Sequence, residues 1–273
     1  MYYVGMPPSY FYLIDVLSQK ICTYVVCVLI CLQKIRLNQT FKGLSYDFCV
    51  SESFCSMTFT KTVPALAECF STLILWKAGD TIKSRLPIYF RARFSHVQSI
   101  IDCFEIEIEK PSDPIKQTLT WSNYKKCNTL KYLISSTPDG YINYVSSGFD
   151  GRTSDIKITD SCGYLDVLPD GAGVMADRGF KGVAPALEKK SCSLIRPPSV
   201  SATQKSSKDE VRLSKRIASL RIHIERVIRR VREFSLLKPH ACVNKKLVKY
   251  VDCIVVIACG LINLQAPIIS KHV

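Results

Sequence analysis

The feature that most constrains the fold of this chain is a strictly alternating stretch at residues 99–110, SIIDCFEIEIEK. Its apolar residues share one face of an extended chain and its glutamates share the other: Phe104, Ile106 and Ile108 against Glu105, Glu107 and Glu109. A period of two residues predicts a strand with one buried face. Asp102 has the parity of the apolar residues, and a carboxylate on the inward face of a strand is unusual.

Further strands are predicted after it. Residues 129–137 and 140–149 are joined by Pro138-Asp139-Gly140, which predicts a hairpin because proline presets φ and glycine accepts a positive φ. Residues 151–168 then predict a loop and a helix. The short apolar run 174–176 lies between glycines and predicts a buried strand. This run ends on Asp177, a carboxylate at the rim of a core, where a metal, an arginine or a simple turn could explain it.

The first 80 residues predict helices. Apolar residues recur at three-to-four spacing over 21–80, with interruptions expected near Gly43 and Pro64. Within this region, residues 40–63 predict two helices with a turn at Cys49-Val50 and with Ser51 as the N-cap of the second. Such a pair is either a DNA-binding helix-turn-helix or an ordinary helical hairpin, since the second helix carries only Lys61 as a base. Residues 80–98 are interpreted as a linker or domain boundary.

A long amphipathic helix is predicted over about 208–234, after a polar loop rich in proline and serine at 196–210. Its apolar stripe consists of Ile217, Leu220, Ile224, Ile228 and Val231. Glu225 lies on the flank of this stripe, with Arg221 and Arg229 as its neighbours at i−4 and i+4.

The charge of the chain favours an acidic partner. The net charge is +14, and residues 205–249 contain 14 lysines and arginines against 4 acidic residues. This imbalance indicates a surface that binds a phosphate backbone, although a solvated helix face is the common explanation of such a run. The apolar runs 21–32 and 253–264 have twelve residues each, short of the about 20 that span a membrane, and indicate buried helices. The thirteen cysteines show no CxxC pair and are interpreted as reduced, buried thiols.

Asp102, Asp177 and Glu225 could act together. Three converging carboxylates repel one another and raise each pKa, and divalent cations relieve that repulsion. Magnesium or manganese suits such oxygen ligands, and two ions can support displacement at phosphorus. The alternative is that Asp102 is a strand residue, Asp177 a turn former and Glu225 part of an ion pair within its helix.

Several linked motifs resemble the DDE superfamily endonucleases, in particular the PIF/Harbinger-like transposases that carry a helix-turn-helix before the nuclease. They are IIDCFEIEIEKPS, YKKCNTLKYLISSTPDGYINYVSSGFDGRTSD, MADRGF and RIHIERVIRRVREF, and the resemblance covers about residues 30–267. It implies an α/β fold: an RNase H-like mixed sheet flanked by helices, at 95–273. A small all-α region at 1–90 would precede it, with the helix-turn-helix at about 30–75.

The resemblance also implies the chemistry. Asp102, Asp177 and Glu225 match the three family acids, which bind Mg²⁺ or Mn²⁺, two ions in all, and cleave DNA at transposon ends. Asp155 in GRTSD is the alternative to Asp177. The candidate DNA contacts are Arg226, Arg229, Arg230, Lys125, Lys126 and Lys61. Trp121, just before the second strand, could help them.

The expected partners follow from the same resemblance. They are DNA in the nucleus, a separate DNA-binding accessory protein and a second copy of the chain. The chain departs from the family pattern at Ser45 and Cys49, where a small apolar residue and a glycine are usual. A rival hypothesis is a non-enzymatic DNA-binding or interaction protein descended from such an element. A third is a protein anchored to a membrane through residues 11–32, whereas the main interpretation expects no stable membrane insertion.

Overall fold

A computed structural model describes residues 3–198 and 207–268. The helices are α1 (Tyr12–Lys20), α2 (Val25–Leu37), α3 (Phe41–Asp47), α4 (Glu52–Ser71), α5 (Gly79–Ser84), α6 (Ile88–Arg91), α7 (Pro114–Thr120), α8 (Asp155–Ser161), α9 (Tyr164–Val167), α10 (Ala184–Glu188), α11 (Lys208–Val231) and α12 (Val251–Asn263). The strands are β1 (Val97–Glu107), β2 (Trp121–Ser122), β3 (Cys127–Ser136), β4 (Ile142–Val145), β5 (Phe149–Asp150), β6 (Gly173–Met175) and β7 (Ser193–Ile195). Short 3-10 helices cover Pro8–Tyr10, Arg178–Val183, Ser235–Leu237 and Val248–Tyr250.

The strands form one mixed sheet in the order β2-β3-β1-β6-β7, with β4 and β5 also paired to β3. The central strand β1 runs antiparallel to β3, where Asp102 lies opposite Ile134. On its other side β1 runs parallel to β6, and β6 runs parallel to β7. The alternating stretch therefore forms the middle of the sheet, as its pattern predicts.

Helices cover both faces of the sheet. The face of Ile100, Phe104 and Ile106 packs on α11, α12 and the N-terminal helices in one large apolar core. The opposite face, which includes Ile101 and Leu133, packs on the segments around α8, α9 and α10. The predicted fold class is confirmed: a mixed α/β sheet flanked by helices and preceded by a helical region.

The predicted hairpin turn is present, but the strand after it is shorter than predicted. Gly140 has φ +90, and its N–H donates to the carbonyl of Thr137 at 2.8 Å. A single strand over 140–149 was wrong, because β4 and β5 are separated by residues 146–148. Ser146 replaces part of the ladder, since its hydroxyl accepts from the Leu133 N–H at 2.9 Å. The Gly148 N–H donates to the Asp252 carboxylate at 3.1 Å instead of to a strand.

The two helices and turn predicted at 40–63 are present as α3 and α4. The Ser51 hydroxyl caps α4 by accepting from the Phe54 N–H at 3.1 Å. Cys49 in the turn has φ 52, a left-handed conformation that suits the glycine usual in the family. The interruptions predicted at Gly43 and Pro64 were wrong, because both residues lie inside helices. Fully buried neighbours of the proline, Val63 and Leu66, hold α4 together across it.

Residues 80–98 are not an exposed linker. This segment contains α5 and α6, and it buries Leu86, Phe90 and Phe94. Phe90 contacts His223 of α11, with the ring centroids 5.8 Å apart. The helical region and the sheet therefore share one apolar core, and a domain boundary near residue 90 stays a prediction.

Helix α11 starts at Lys208 with a capping box between Ser207 and Glu210, so the predicted loop at 196–210 ends earlier than expected. Residues 199–206 of that loop lie outside the described residues. All thirteen cysteines are free thiols, and they range from buried to exposed. Over 3–198 and 207–268, no single helix is long and apolar enough to span a membrane; the pair Pro8–Lys20 and Val25–Leu37, bent by 118°, meets the criteria of length and composition together.

Candidate active site

Asp102 lies in the centre of the sheet, on the face covered by α11. Its side chain is 24% exposed, and its Oδ1 accepts from the Cys103 N–H at 2.8 Å. Burial raises the pKa of Asp102 to about 6, although the Arg221 charge and the Cys103 hydrogen bond act in the opposite direction. The negative charges of Asp177 and Asp155 raise this pKa further. Asp102 is therefore harder to ionise than an ordinary aspartate.

Asp177 is positioned by the parallel pairing of β6 with β1. Met175 lies opposite Ile100, and continuing this register by two residues puts Asp177 level with Asp102. The two acids therefore meet where β6 ends, which is how neighbouring parallel strands bring side chains together. The Asp177 side chain is 53% exposed, at the rim of the core.

Arg221 of α11 bridges the two acids. Its guanidinium lies 3.1 Å from Asp177 Oδ1 and 3.5 Å from Asp102 Oδ2, and its side chain is only 11% exposed. The residue borders the buried stripe of α11, next to Leu220, so that its charged end reaches the acids from the helix edge. Sequence reasoning treated Arg221 only as a neighbour of Glu225, yet an arginine was one of the partners considered for Asp177.

Glu225 lies one helical turn beyond Arg221 and is exposed. Among the described residues, no ion pair within 4 Å involves Glu225, so the alternative pairs with Arg221 or Arg229 are not formed. Within the same ranges, no group of three His, Cys, Asp or Glu side chains is arranged to hold a metal ion. The structure thus brings two of the three predicted acids together, and the role of Glu225 stays a prediction.

Asp155, the alternative acid, is the first residue of α8 and is tied to the opposite face of the sheet. Its carboxylate forms an ion pair with Lys131 of β3 at 2.7 Å. Burial lowers the pKa of Lys131, but the hydrogen bond and charge of Asp155 outweigh burial and raise it. This pairing fits a structural role for Asp155 between α8 and β3.

The basic candidates for DNA contact differ in their freedom. Arg226 and Arg229 are exposed on α11, and Lys61 is exposed on α4. Arg230 is half-buried and donates to the carbonyl of Ala266 at 2.7 Å, which makes it a weaker candidate.

Lys125 and Lys126 are exposed in the turn between β2 and β3, beside the aromatic ring of Tyr124. They lie at the end of the sheet where Trp121 begins β2.

The fold and the paired acids define an α/β protein with a carboxylate site inside a mixed sheet, where strand β6 ends, preceded by a helix-turn-helix. Residues 101–263 match the family of the DDE superfamily endonuclease, and residues 28–72 match the helix-turn-helix of DDE superfamily endonuclease. Because the first match covers more than half of the chain, the protein belongs to the DDE superfamily endonucleases. No curated protein and no solved structure matches the chain.

Proposed function

We propose that the protein is a transposase or transposon-derived endonuclease of the PIF/Harbinger type, which cleaves DNA phosphodiester bonds with divalent metal ions. The observation that carries the proposal is the convergence of Asp102 and Asp177 around a single cation, the Arg221 guanidinium, at 3.5 and 3.1 Å. The match to the endonuclease family supports a nuclease activity at this site.

The two acids fit a divalent cation in their chemistry. Their carboxylate oxygens already face one positive charge, and the raised pKa of Asp102 reflects a cost of ionisation that a metal would remove. Asp102, Asp177 and Glu225 would hold Mg²⁺ or Mn²⁺, in which case Glu225 has to turn toward the other two acids. Bound metal would activate the attacking oxygen and neutralise charge on the phosphate.

The protein's own residues would prepare this site. The Cys103 N–H keeps one Asp102 oxygen oriented, and Arg221 screens the repulsion between the two acids until substrate and metal arrive. Arg226 and Arg229 are exposed on α11 and are therefore free to contact the phosphate backbone.

The helix-turn-helix would supply further DNA contacts, through Lys61 of α4. Since this helix has few basic residues, an accessory DNA-binding protein would complete target recognition. A second copy of the chain would hold the other DNA end. The site of action proposed for this activity is the nucleus.

The test is nicking of supercoiled plasmid by the purified full chain with Mn²⁺, Mg²⁺ or EDTA. We expect nicking with either metal and none with EDTA, and loss of nicking by at least about 100-fold in Asp102→Ala, Asp177→Ala and Glu225→Gln, as for removal of a central catalytic group. Asp170→Ala is the matched control, because Asp170 is an exposed aspartate near the β7 edge with only a 3.9 Å contact to Lys190.

Different outcomes separate the proposals. Nicking that survives Asp177→Ala would exclude Asp177 and direct the test to Asp155. A wild-type chain that binds DNA in a salt-sensitive manner without nicking it would favour the second candidate, a DNA-binding relic of a transposase, which the intact basic face of α11 supports.

A further inference from the structure

A wide-open cavity of about 380 Å³ lies on the surface at the end of the sheet where β2 pairs with β3. Its walls are Lys110, Gln117, Thr118, Trp121, Asn128 and Arg152. The volume is in the range of small-molecule sites, about 300 to 1,000 Å³. Trp121 is 40% exposed, so a large part of its indole ring is available to a ligand. We call this space the Trp121 cavity.

The polar walls of the Trp121 cavity are held in place. The Asn128 side chain is buried, and its Nδ2 donates to the Gln117 carbonyl and to the Thr120 hydroxyl, both at 2.9 Å. The Gln117 amide in turn donates to the carbonyl of Pro111 at 2.7 Å. A preorganised polar wall beside an aromatic ring is typical of a site that orients a flat heterocycle.

The charge around the cavity selects an anionic ligand. Lys110 and Arg152 are exposed, and neither forms an ion pair within 4 Å among the described residues. Lys125 and Lys126 lie in the adjoining turn, next to Tyr124, whose ring is 83% exposed. Within the described part of the chain no carboxylate lines the cavity.

The register of the sheet relates the Trp121 cavity to the acids. Ile106 lies opposite Leu130, and Asn128, two residues before Leu130 in β3, has the same face as Ile106 and therefore as Asp102. Trp121 lies opposite Asn128 and shares that face. The distance along the sheet between the Trp121 cavity and Asp102 corresponds to six residues of β1, or about 20 Å. One DNA duplex can span this distance in less than a helical turn.

We infer that the Trp121 cavity binds an unpaired nucleotide of the DNA substrate. Its base stacks on Trp121, and its phosphate lies against Lys110 and Arg152. A stacking aromatic ring combined with unpaired cations is the usual means of binding single-stranded nucleic acid. The inference rests on the proposed function, because it takes DNA as the substrate, and it assigns a role that the acids and α11 do not supply.

The test measures binding of the full chain to three kinds of short duplex in EDTA, where no cleavage occurs. One duplex is blunt, one carries a single unpaired terminal adenine, and one carries an abasic residue in its place, each overhang in 3′ and 5′ versions. We expect the adenine probe to bind about 5- to 150-fold more tightly than the abasic probe, the range for stacking of one base on an aromatic side chain. 2-Aminopurine at the same position should lose fluorescence on binding.

The variants locate this preference. Trp121→Ala should lower the affinity for the adenine probe to that for the abasic probe, whereas Trp121→Phe should keep most of the preference for adenine. Arg152→Ala should weaken binding of the adenine probe and of the abasic probe equally, because the inference places the Arg152 side chain against the phosphate and not against the base. Tyr89→Ala is the control, because Tyr89 is a 68% exposed aromatic residue in α6, outside the cavity.

Three results would overturn the inference: no preference in the wild type, a preference that persists in folded Trp121→Ala, or an equal loss of all probes in that variant. Displacement of 2-aminopurine DNA by micromolar deoxyadenosine monophosphate would identify a site for free nucleotides instead. Plasmid nicking distinguishes the two proposals. If the chain prefers the adenine probe but shows no metal-dependent nicking, the inference about the Trp121 cavity stands and the proposed nuclease activity fails.

Discussion

At the scale of single residues, the Arg221 side chain holds Asp102 and Asp177 together. With Arg221 in place, Asp102 and Asp177 share one positive charge, at 3.5 and 3.1 Å from the guanidinium. A divalent ion would need the same carboxylate oxygens. Arg221 therefore stabilises the paired acids and would compete with the metal ions proposed for this site.

Replacement of Arg221 should have opposite effects without and with metal. We expect Arg221→Met to lower the free energy of unfolding by about 1 to 3 kcal/mol in EDTA, because two partly buried carboxylates lose their counter-charge. Addition of Mn²⁺ should raise the Tm of Arg221→Met by more than it raises the Tm of the wild type, because the variant has no guanidinium that competes with the ion. Thermal unfolding over a Mn²⁺ titration measures both effects.

Arg229→Met is the matched control, an exposed arginine two turns along the same helix. Its stability in EDTA and its response to Mn²⁺ should equal those of the wild type. If Arg221→Met gains no more from Mn²⁺ than this control does, competition between the guanidinium and the metal is refuted.

His223 gives a pH dependence that does not involve the acids. It is buried against Phe90, and burial, with a smaller effect of Arg226, lowers the pKa of His223 to about 4 from an ordinary 6.5. Below pH 6.5, His223 becomes protonated in the unfolded chain but stays neutral in the folded chain. The folded state therefore keeps its stability above pH 6.5 and loses stability progressively as the pH falls to about 4.

The loss of stability caused by the lowered pKa of His223 should reach about 3 kcal/mol, by the linkage between pKa and stability. We expect the difference in unfolding free energy between the wild type and His223→Leu to shift in favour of the variant as pH falls from 6.5 to 4. Urea unfolding at a series of pH values measures it. A difference that is constant across this range would show that folding does not lower the pKa of His223.

At the scale of elements, α12 and α4 pack closely at Gly260. A Cβ atom added to Gly260 would meet Phe70 Cβ and the Phe70 carbonyl oxygen at 2.9 Å each. The backbone oxygen cannot move aside as a flexible side chain would. This contact joins the helix-turn-helix part of the chain to the last helix of the nuclease part.

Gly260→Ala should therefore lower the unfolding free energy by about 1 to 3 kcal/mol, the cost of overpacking a tight core. The sign of the change in unfolding free energy is informative, because alanine stabilises a helix without such a contact by about 1 kcal/mol relative to glycine. Gly79→Ala is the control, because its nearest neighbour would lie at an ordinary 3.6 Å. Chemical denaturation followed by circular dichroism measures both variants, and a stabilised Gly260→Ala would show that the two helices are not in close contact.

Secondary structure shows at the same scale why some elements could be predicted and others not. The alternation of β1, the Ser51 cap and the turn at Gly140 are local signals that depend on neighbours within a few residues. Pro64 is a local signal that misleads, since the packing of Val63 and Leu66 outweighs the cost of proline in a helix.

At the scale of the whole molecule, the positive charge should determine how the chain binds DNA. Each phosphate contact adds about 0.9 to the slope of log affinity against log salt concentration. We expect the Arg226→Ala, Arg229→Ala double variant to reduce this slope by about 2, because both side chains are exposed. Arg230→Ala should change it by much less, since Arg230 is half-buried and bonded to Ala266.

Fluorescence anisotropy with a blunt duplex at several salt concentrations measures the slopes. Lys189→Ala is the control for loss of an exposed positive charge elsewhere, at the end of α10 near the other edge of the sheet. If this control lowers the slope as much as each α11 arginine does, the basic face of α11 has no special part in binding.

The candidate site could be predicted only in part. Asp102 was found by its parity in β1 and Asp177 by its place after a short apolar run, and the family motifs linked both to Glu225. The bridge through Arg221 could not be predicted, because it depends on how far α11 is rotated about its axis over the sheet. The same rotation leaves Glu225 exposed, one turn beyond the acids.

The sequence by itself determined the elements whose causes are local: the alternating strand, the hairpin, the capped helices, the excess of positive charge and the motifs of an endonuclease family. The tertiary structure decided which distant residues meet. Asp102 and Asp177 are level because β6 pairs with β1 in one register, and Arg221 reaches both because α11 packs on that face of the sheet. Side chains this far apart in the chain have no local interaction that could specify their contact, so only the packing of the whole core sets it.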